Sequence, residues 1–594
     1  MHTRVKRSAA AGTMLAAMFS TGPSQAVRAP AFDPLLDGAL CASPGTGRPL
    51  LQAMAAQAET APFKAALQSR QPGEAGPPPL YKDLGKLHLA VSTRSPRAQA
   101  YFDQGLRLLF SFNHAEAARA FRAAQQADPQ CAMCHWGEAL VLGPNINAPM
   151  FPEAVAPAFA AAERAAAAAA SASPVEQALV RAVQQRYAAQ PPADRAALDQ
   201  AYAAAMTEAA HSFPNDDTVQ VLFAESLMDL SPWNYWEAGG ASPKGRTQEL
   251  VDALERVLER NPSHPGAIHY YIHAVEASSH PDKALPYARQ LARQIPGAGH
   301  IVHMPSHIYY RAGLYKDALQ ANIDAMAVDE KYFRSAASDA VYKGAYYPHN
   351  IHFAMVSALM GGDGKATLQA TQRLEQALSP ELLRAIPPLQ PVRAAPYFAH
   401  VQFSSPDTLV ALPAPAEEFV LLRAMWHYAR SVGFARKGLW AEGQREVDSI
   451  AAIEQKADFK PLDERGVPGA DIVRTARLVA AGKLAEAKGD LPAAIASFTE
   501  AVAAQDKLPY IEPPYWYYPV RQSLGAALLK AGKLDEAEAA FRASFAKTPS
   551  NGWALRGLAE VYDKRGDKAA AAAARKRLAA TWLGPNAGPA LSRL

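Results

Sequence analysis

Apolar residues recur at helical spacing along most of this chain, and small residues return among them at fixed offsets. Counted from Ala98, positions 8, 20, 24, 27 and 32 are Gly105, Ala117, Phe121, Ala124 and Pro129. Counted from Thr475, positions 8, 15, 20, 24 and 27 are Gly482, Gly489, Ala494, Phe498 and Ala501. Counted from Tyr518, Leu524-Gly525 stand at 7–8, Gly532 at 15, Ala537 at 20, Phe541 at 24 and Pro549 at 32, and the next unit supplies Tyr562, Gly566 and Ala571. Such a period predicts stacked helix pairs, with small residues where two helices touch and a proline ending the second.

The offsets resemble those of the tetratricopeptide-repeat superfamily, over about residues 90–580. Segments such as Phe112-Asn113-His114-Ala115-Glu116, Gly143-Pro144-Asn145-Ile146-Asn147 and Trp426-His427-Tyr428-Ala429-Arg430 are also similar to exported bacterial repeat proteins of unassigned function. The resemblance implies an all-α, TPR-like α-solenoid of antiparallel helix pairs, and it implies no activity. Two Pro-rich stretches divide the chain. Residues 27–80 read as a Pro/Gly/Ala-rich linker, with one helix around Leu51–Ala66. Residues 387–417 read as a second linker between a block at 81–386 and a block at 418–594.

Composition adds a compartment. The 594 residues are 49% apolar, with a formal charge of +4. Three of the positive charges, Arg4, Lys6 and Arg7, lie in a segment that reads as a leader: a basic start, an apolar run from Ala9 to Phe19, and Ser24-Gln25-Ala26 as a cleavage signature. Residues 1–26 are therefore expected to be a signal peptide and the protein to be periplasmic or extracellular. The charge that remains gives no reason to expect a nucleic-acid partner. No segment approaches the ~20 apolar residues of a transmembrane anchor.

The chemistry concentrates in histidine. Of 16 histidines, nine lie between His264 and His352. The repeat register puts His269, His273 and Glu276 at positions 5, 9 and 12 of one unit. It puts His300, His303 and His307 at 2, 5 and 9 of the next, and His349 and His352 at 2 and 5 of a third. In the superfamily these positions line the concave groove. Helical geometry agrees, because residues three, four and seven apart share a face. Pro305 interrupts the second stripe and can re-aim His300 and His303 relative to His307. Imidazoles with one carboxylate suit copper, zinc or iron. The expectation is a groove-bound transition metal, with copper favoured, held by these histidines and Glu276. Glu276 serves as ligand or general base, and an oxidoreductase is favoured over a hydrolase.

Other features leave alternatives open. Cys131-Ala132-Met133-Cys134-His135 matches a haem c attachment sequence and equally a short disulfide. Trp233, Tyr235 and Trp236, with Trp516 and Arg521, are candidates for contacting a small-molecule or peptide ligand in the groove. Glu225 and Asp229, one helical turn apart, are further candidate ligands. A non-catalytic peptide-binding scaffold is the rival reading, and a c-type haem protein a third. No phosphate loop, His-Glu-x-x-His helix or Gly-x-Ser-x-Gly elbow is present.

Overall fold

The computed structural model describes residues 76–594 except 193, 336–341, 586, 587, 591, 592 and 594. The expected leader, most of the first linker and the helix at 51–66 lie outside the described residues. Within them the fold is all-α: helices follow one another from Pro96–Leu109 to Lys568–Thr581, and no strand occurs among the described residues. No described helix is long and apolar enough to cross a membrane.

The repeat offsets have a steric cause. A Cβ at Gly105 or at Gly137 would stand 2.7 or 2.4 Å from the ring of Phe121. The same wedge recurs in the C-terminal block, where a Cβ at Gly525 or Gly557 would stand 2.7 or 2.2 Å from the ring of Phe541. Each phenylalanine on a second helix thus sits against two first helices, its own and the next, at places bare of a side chain. Helices Gly469–Lys488 and Gly552–Arg565 end on Gly489 and Gly566 with φ of +82° and +77°, a left-handed cap that glycine adopts without strain.

Two apolar cores form. The first gathers buried residues from Leu84 to Ile308 together with Tyr342 and Tyr346; the second runs from Tyr310 to Ala527. Their seam falls inside the short helix Pro305–Arg311 and not at residues 387–417. The expected Pro-rich linker at 387–417 is instead folded: helices Gln390–Arg393, Ala395–Phe403 and Pro406–Val410 start on their prolines and bury Val392, Phe398 and Leu409 in the second core. A proline in the first helical turn gives up an N–H that has no partner there, so proline density marked helix starts and not a linker between two blocks. Residues 76–80 of the first linker are also tied down, since Pro78 and Pro79 carbonyls accept from Tyr101 Oη and Gln104 Nε2 at 3.1 and 2.9 Å.

Candidate metal centre

Three helical segments meet at the seam. Pro265–Val275 carries His269 and His273, with Glu276 closing its end. Gly299–His303 and Pro305–Arg311 carry His300, His303 and His307. Tyr347–Gly361 carries His349 and His352. Pro305 does break the second stripe into two helices, but Met304 keeps helical angles between them, so His303 and His307 stay one turn apart.

Six of the histidines assemble into two triads. In each of the groups His269/His273/His300 and His303/His307/His349, three ligand nitrogens lie within 4.8 Å of one another. The stripe His300-His303-His307 is therefore divided: His300 joins the preceding helix, and the other two join the following one. The triads are neighbours, with the His273 and His307 rings 5.7 Å apart and the His300 and His303 rings 5.8 Å apart.

The tautomers are fixed from outside the triads. His269 Nδ1–H donates to the Phe110 carbonyl at 2.7 Å. His303 Nδ1 lies 2.6 Å from Asn322 Oδ1, and Asn322 Nδ2 donates to the Ala318 carbonyl at 2.7 Å, which sets that amide's orientation. Glu276 holds both triads at once: Oε1 is 2.9 Å from His273 Nδ1, and Oε2 is 2.6 Å from His307 Nδ1. With Nδ1 protonated, each of these four rings turns a bare Nε2 inward. His303 Nε2 and His307 Nε2 stand 2.9 Å apart, and His269 Nε2 and His300 Nε2 3.1 Å apart. Two nitrogens bound to one ion at about 2.0–2.1 Å, at tetrahedral or right angles, lie about 2.9–3.4 Å apart. His273 Nε2 has no hydrogen-bond partner among the described residues.

Burial keeps these rings neutral. It lowers His269, His273 and His307 to about 3, and pushes His300, His303 and His349 well below the usual imidazole range, with neighbouring imidazoles adding to the effect in several of them. Burial raises Glu276, partly offset by its hydrogen bond from His273.

The shell around the triads is aromatic. Phe112 lies 4.5 Å from the His269 ring and 5.4 Å from His300; Phe353 lies 4.5 Å from His307; Trp233 lies edge-on to His273 at 5.0 Å. These residues explain a departure from the sequence reading. The register places the histidines on an open concave face, whereas Phe112, Trp233 and Phe353 close over them, and five of the six are no more than 2% exposed.

Other expected residues divide between wall and framework. Glu276 is an orienting acceptor, taking an imidazole N–H on each oxygen, and it stands in neither of the two clustered groups of ligand atoms. His352 leaves the cluster and pairs its Nε2 with Tyr517 Oη at 2.7 Å. Trp233 is a wall of the first triad, anchored by Nε1–H to the Ile146 carbonyl. Tyr235 is buried, and Trp236 donates to the Ala274 carbonyl. Trp516 packs on Phe398 and Tyr428 in the second core, and Arg521 is paired with Asp506. Each of these four makes contacts within the fold. Glu225 and Asp229 are held by the buried Arg186. Cys131 and Cys134 are disulfide-bonded to one another, so neither sulfur is a thiol for haem attachment in this state, and His135 Nε2 faces the Pro129 carbonyl.

Comparison with known proteins adds no identity to this geometry. No protein-family model matches the chain, and no curated protein matches it. Among solved structures, the human IFIT1 dimer with PPP-AAAA aligns at a TM-score of 0.29 and 9% identity, over 80% of this chain and 89% of that one. The human IFIT1 dimer with m7Gppp-AAAA aligns at 0.29 and 12%, over 82% and 90%.

The sequence contained no signal that Phe112, in the turn after helix Pro96–Leu109, and Asn322, on helix Tyr315–Ser335, act at the site. Phe112 does carry a backbone sign, a φ of +54° in a non-glycine residue, visible only in three dimensions.

Proposed function

We propose that this protein is a metalloprotein holding two adjacent transition-metal ions, one in each three-histidine triad. One observation carries the reading: His303 and His307 turn two bare nitrogens on each other across 2.9 Å while both Nδ1 atoms are held by oxygen acceptors. Two lone pairs in contact inside a buried site repel unless a cation lies between them. Burial works against a proton on the rings, and a metal ion meets the need. Three neutral imidazoles leave a coordination position open for water or dioxygen.

Copper is the favoured metal. Iron oxygenase sites use a carboxylate ligand beside two histidines, and here Glu276 is committed to imidazole N–H groups. Zinc fits a three-histidine site equally well, but two neighbouring ions in an aromatic shell favour electron transfer to dioxygen, and hence an oxidoreductase. A leader at residues 1–26 accords with this, since it would place the protein where copper enzymes and disulfides are at home.

The deciding experiment is elemental analysis and electron paramagnetic resonance on protein made in a periplasmic host supplied with copper, then dialysed against zinc and copper in competition. About two copper ions per chain, reduced to about one in His303→Ala, supports the reading. A chain that stays folded and takes up neither metal overturns it. Stoichiometric zinc retained against copper replaces the oxidoreductase with a hydrolytic or structural centre.

A further inference from the structure

A cavity of about 440 Å³ is bordered by Gly299, the residue before His300 of the first triad, and lies within the range that holds small organic ligands. Its wall includes Tyr81, Tyr332, Tyr342, Val328 and Asp329. Tyr342 Oη accepts the backbone N–H of His300 at 3.2 Å, so the cavity abuts the helix that presents a triad nitrogen. Asp329 is 1% exposed; its carboxylate accepts from Asn350 Nδ2 at 2.8 Å, on Oδ2, and from the Tyr342 hydroxyl, while Oδ1 has no hydrogen-bond partner among the described residues. A buried carboxylate oxygen left unpaired beside a cavity calls for a donor from whatever fills it.

The same cavity is wired to the triad by rings. The Tyr342 ring centroid lies 5.4 Å from Tyr346, and Tyr346 lies 4.8 Å from His300. On the outer side Tyr332 lies 5.9 Å from Tyr342, and Tyr81 lies 6.3 Å from Tyr332.

We propose that this cavity binds a small phenol, whose hydroxyl donates to Asp329 Oδ1 and whose electron passes through Tyr342 and Tyr346 to the metal at His300. The assignment of a metal rests on the function proposed above; the binding of the phenol does not. Aromatic walls accept a flat ring, and the unpaired carboxylate oxygen accepts an O–H. Oxidation breaks the O–H bond: the proton goes to the Asp329 carboxylate, one electron goes to the oxidised metal, and a phenoxyl radical leaves. Four such turnovers return four electrons and four protons to one dioxygen, giving two waters. The rings are oxidised one after another and each is restored by the next, so no tyrosine is consumed.

The test uses 2,6-dimethoxyphenol as the probe and has two arms. Calorimetric titration of the metal-free chain reads binding; dioxygen uptake by the copper-loaded chain reads turnover. Val328→Phe fills the cavity from a half-buried position, and Leu80→Trp at its exposed rim is the second blocking variant. Both are expected to weaken binding at least tenfold, while circular dichroism reports an unchanged fold. Tyr346→Phe is expected to bind the probe as the parent does, keep its copper, and lose turnover at least tenfold. Binding that survives both blocking variants, or no binding by the parent, overturns the cavity. Full turnover in Tyr346→Phe overturns the relay. A parent that binds the probe but holds no metal defeats the metal assignment and the relay while leaving the cavity standing.

Discussion

His303 and His307 share a single 2.9 Å space between their Nε2 atoms, and the residues that force this, Asn322 and Glu276, come from other turns of the chain. Removing either ring takes away one of the triad's three nitrogens and leaves the partner's lone pair free. His307→Ala is therefore expected to empty the second triad, and His269→Ala the first, each cutting bound metal from about two ions per chain to about one. Elemental analysis of the two variants and their combination checks it; loss of both ions in each single variant would show one shared centre in place of two sites.

Glu276 ties the triads to one carboxylate. In Glu276→Gln one end of the side chain becomes an NH2 group, which cannot accept from an imidazole N–H. One histidine then loses its orienting partner. Changes of this kind typically cost about 10–100-fold in metal affinity, so competition against a chelator should show one weakened site and one near the parental affinity. Equal affinity at both sites would mean that the tautomers are held by other contacts.

Substitution at Gly299 tests how tightly the cavity and the triad are joined. A Cβ there would stand 1.9 Å from Asp329 Oδ1, and His300 is the next residue. Gly299→Ala must push either the carboxylate or the His300 helix aside. Overpacking of this kind typically costs about 1–3 kcal/mol. The expected result is a lowered denaturation midpoint together with weaker metal binding at the first triad only; a repeat-contact control, Gly525→Ala against Phe541, should lower stability and leave both metals in place.

The repeat period was legible because it is local and steric: Gly105, Phe121, Gly525 and Phe541 stand at the same offsets in sequence as in the packing. The histidine stripes were legible for the same reason, since helical spacing alone groups His269 with His273 and His303 with His307. Their division into two triads was not, because it depends on how the Tyr347–Gly361 helix brings His349 against His303 and His307. An insertion separates that helix from the preceding unit, and spacing arguments do not cross it. The covering of the site was illegible too: Phe112 and Trp233 reach it from loops 157 and 36 positions before His269, where no period relates them. The prolines of 387–417 misled because the same residue ends one helix and begins another.

Acidity offers a test in the metal-free chain. Burial holds His269, His273 and His307 at about 3 in the folded protein, against about 6.5 when unfolded. Between those values the unfolded chain binds more protons than the folded one, so stability is fully present above about 6.5 and falls as the pH drops toward 3. Each such group contributes a slope of up to about 1.4 kcal/mol per pH unit in that window. Asp329 runs the other way: burial raises it to about 7, above the unfolded value of about 3.9. Its contribution is fully present below about 4 and is lost as the pH rises through 7. Asp329→Asn should thus raise the urea midpoint more at pH 8 than at pH 5. Urea titrations of parent, His269→Ala and Asp329→Asn at pH 5, 6.5 and 8 separate the two effects. A parental midpoint that does not fall from pH 6.5 to 5, or that falls no less in His269→Ala, would mean that the imidazoles are protonated in the folded state and that the bare nitrogens are not held neutral by burial.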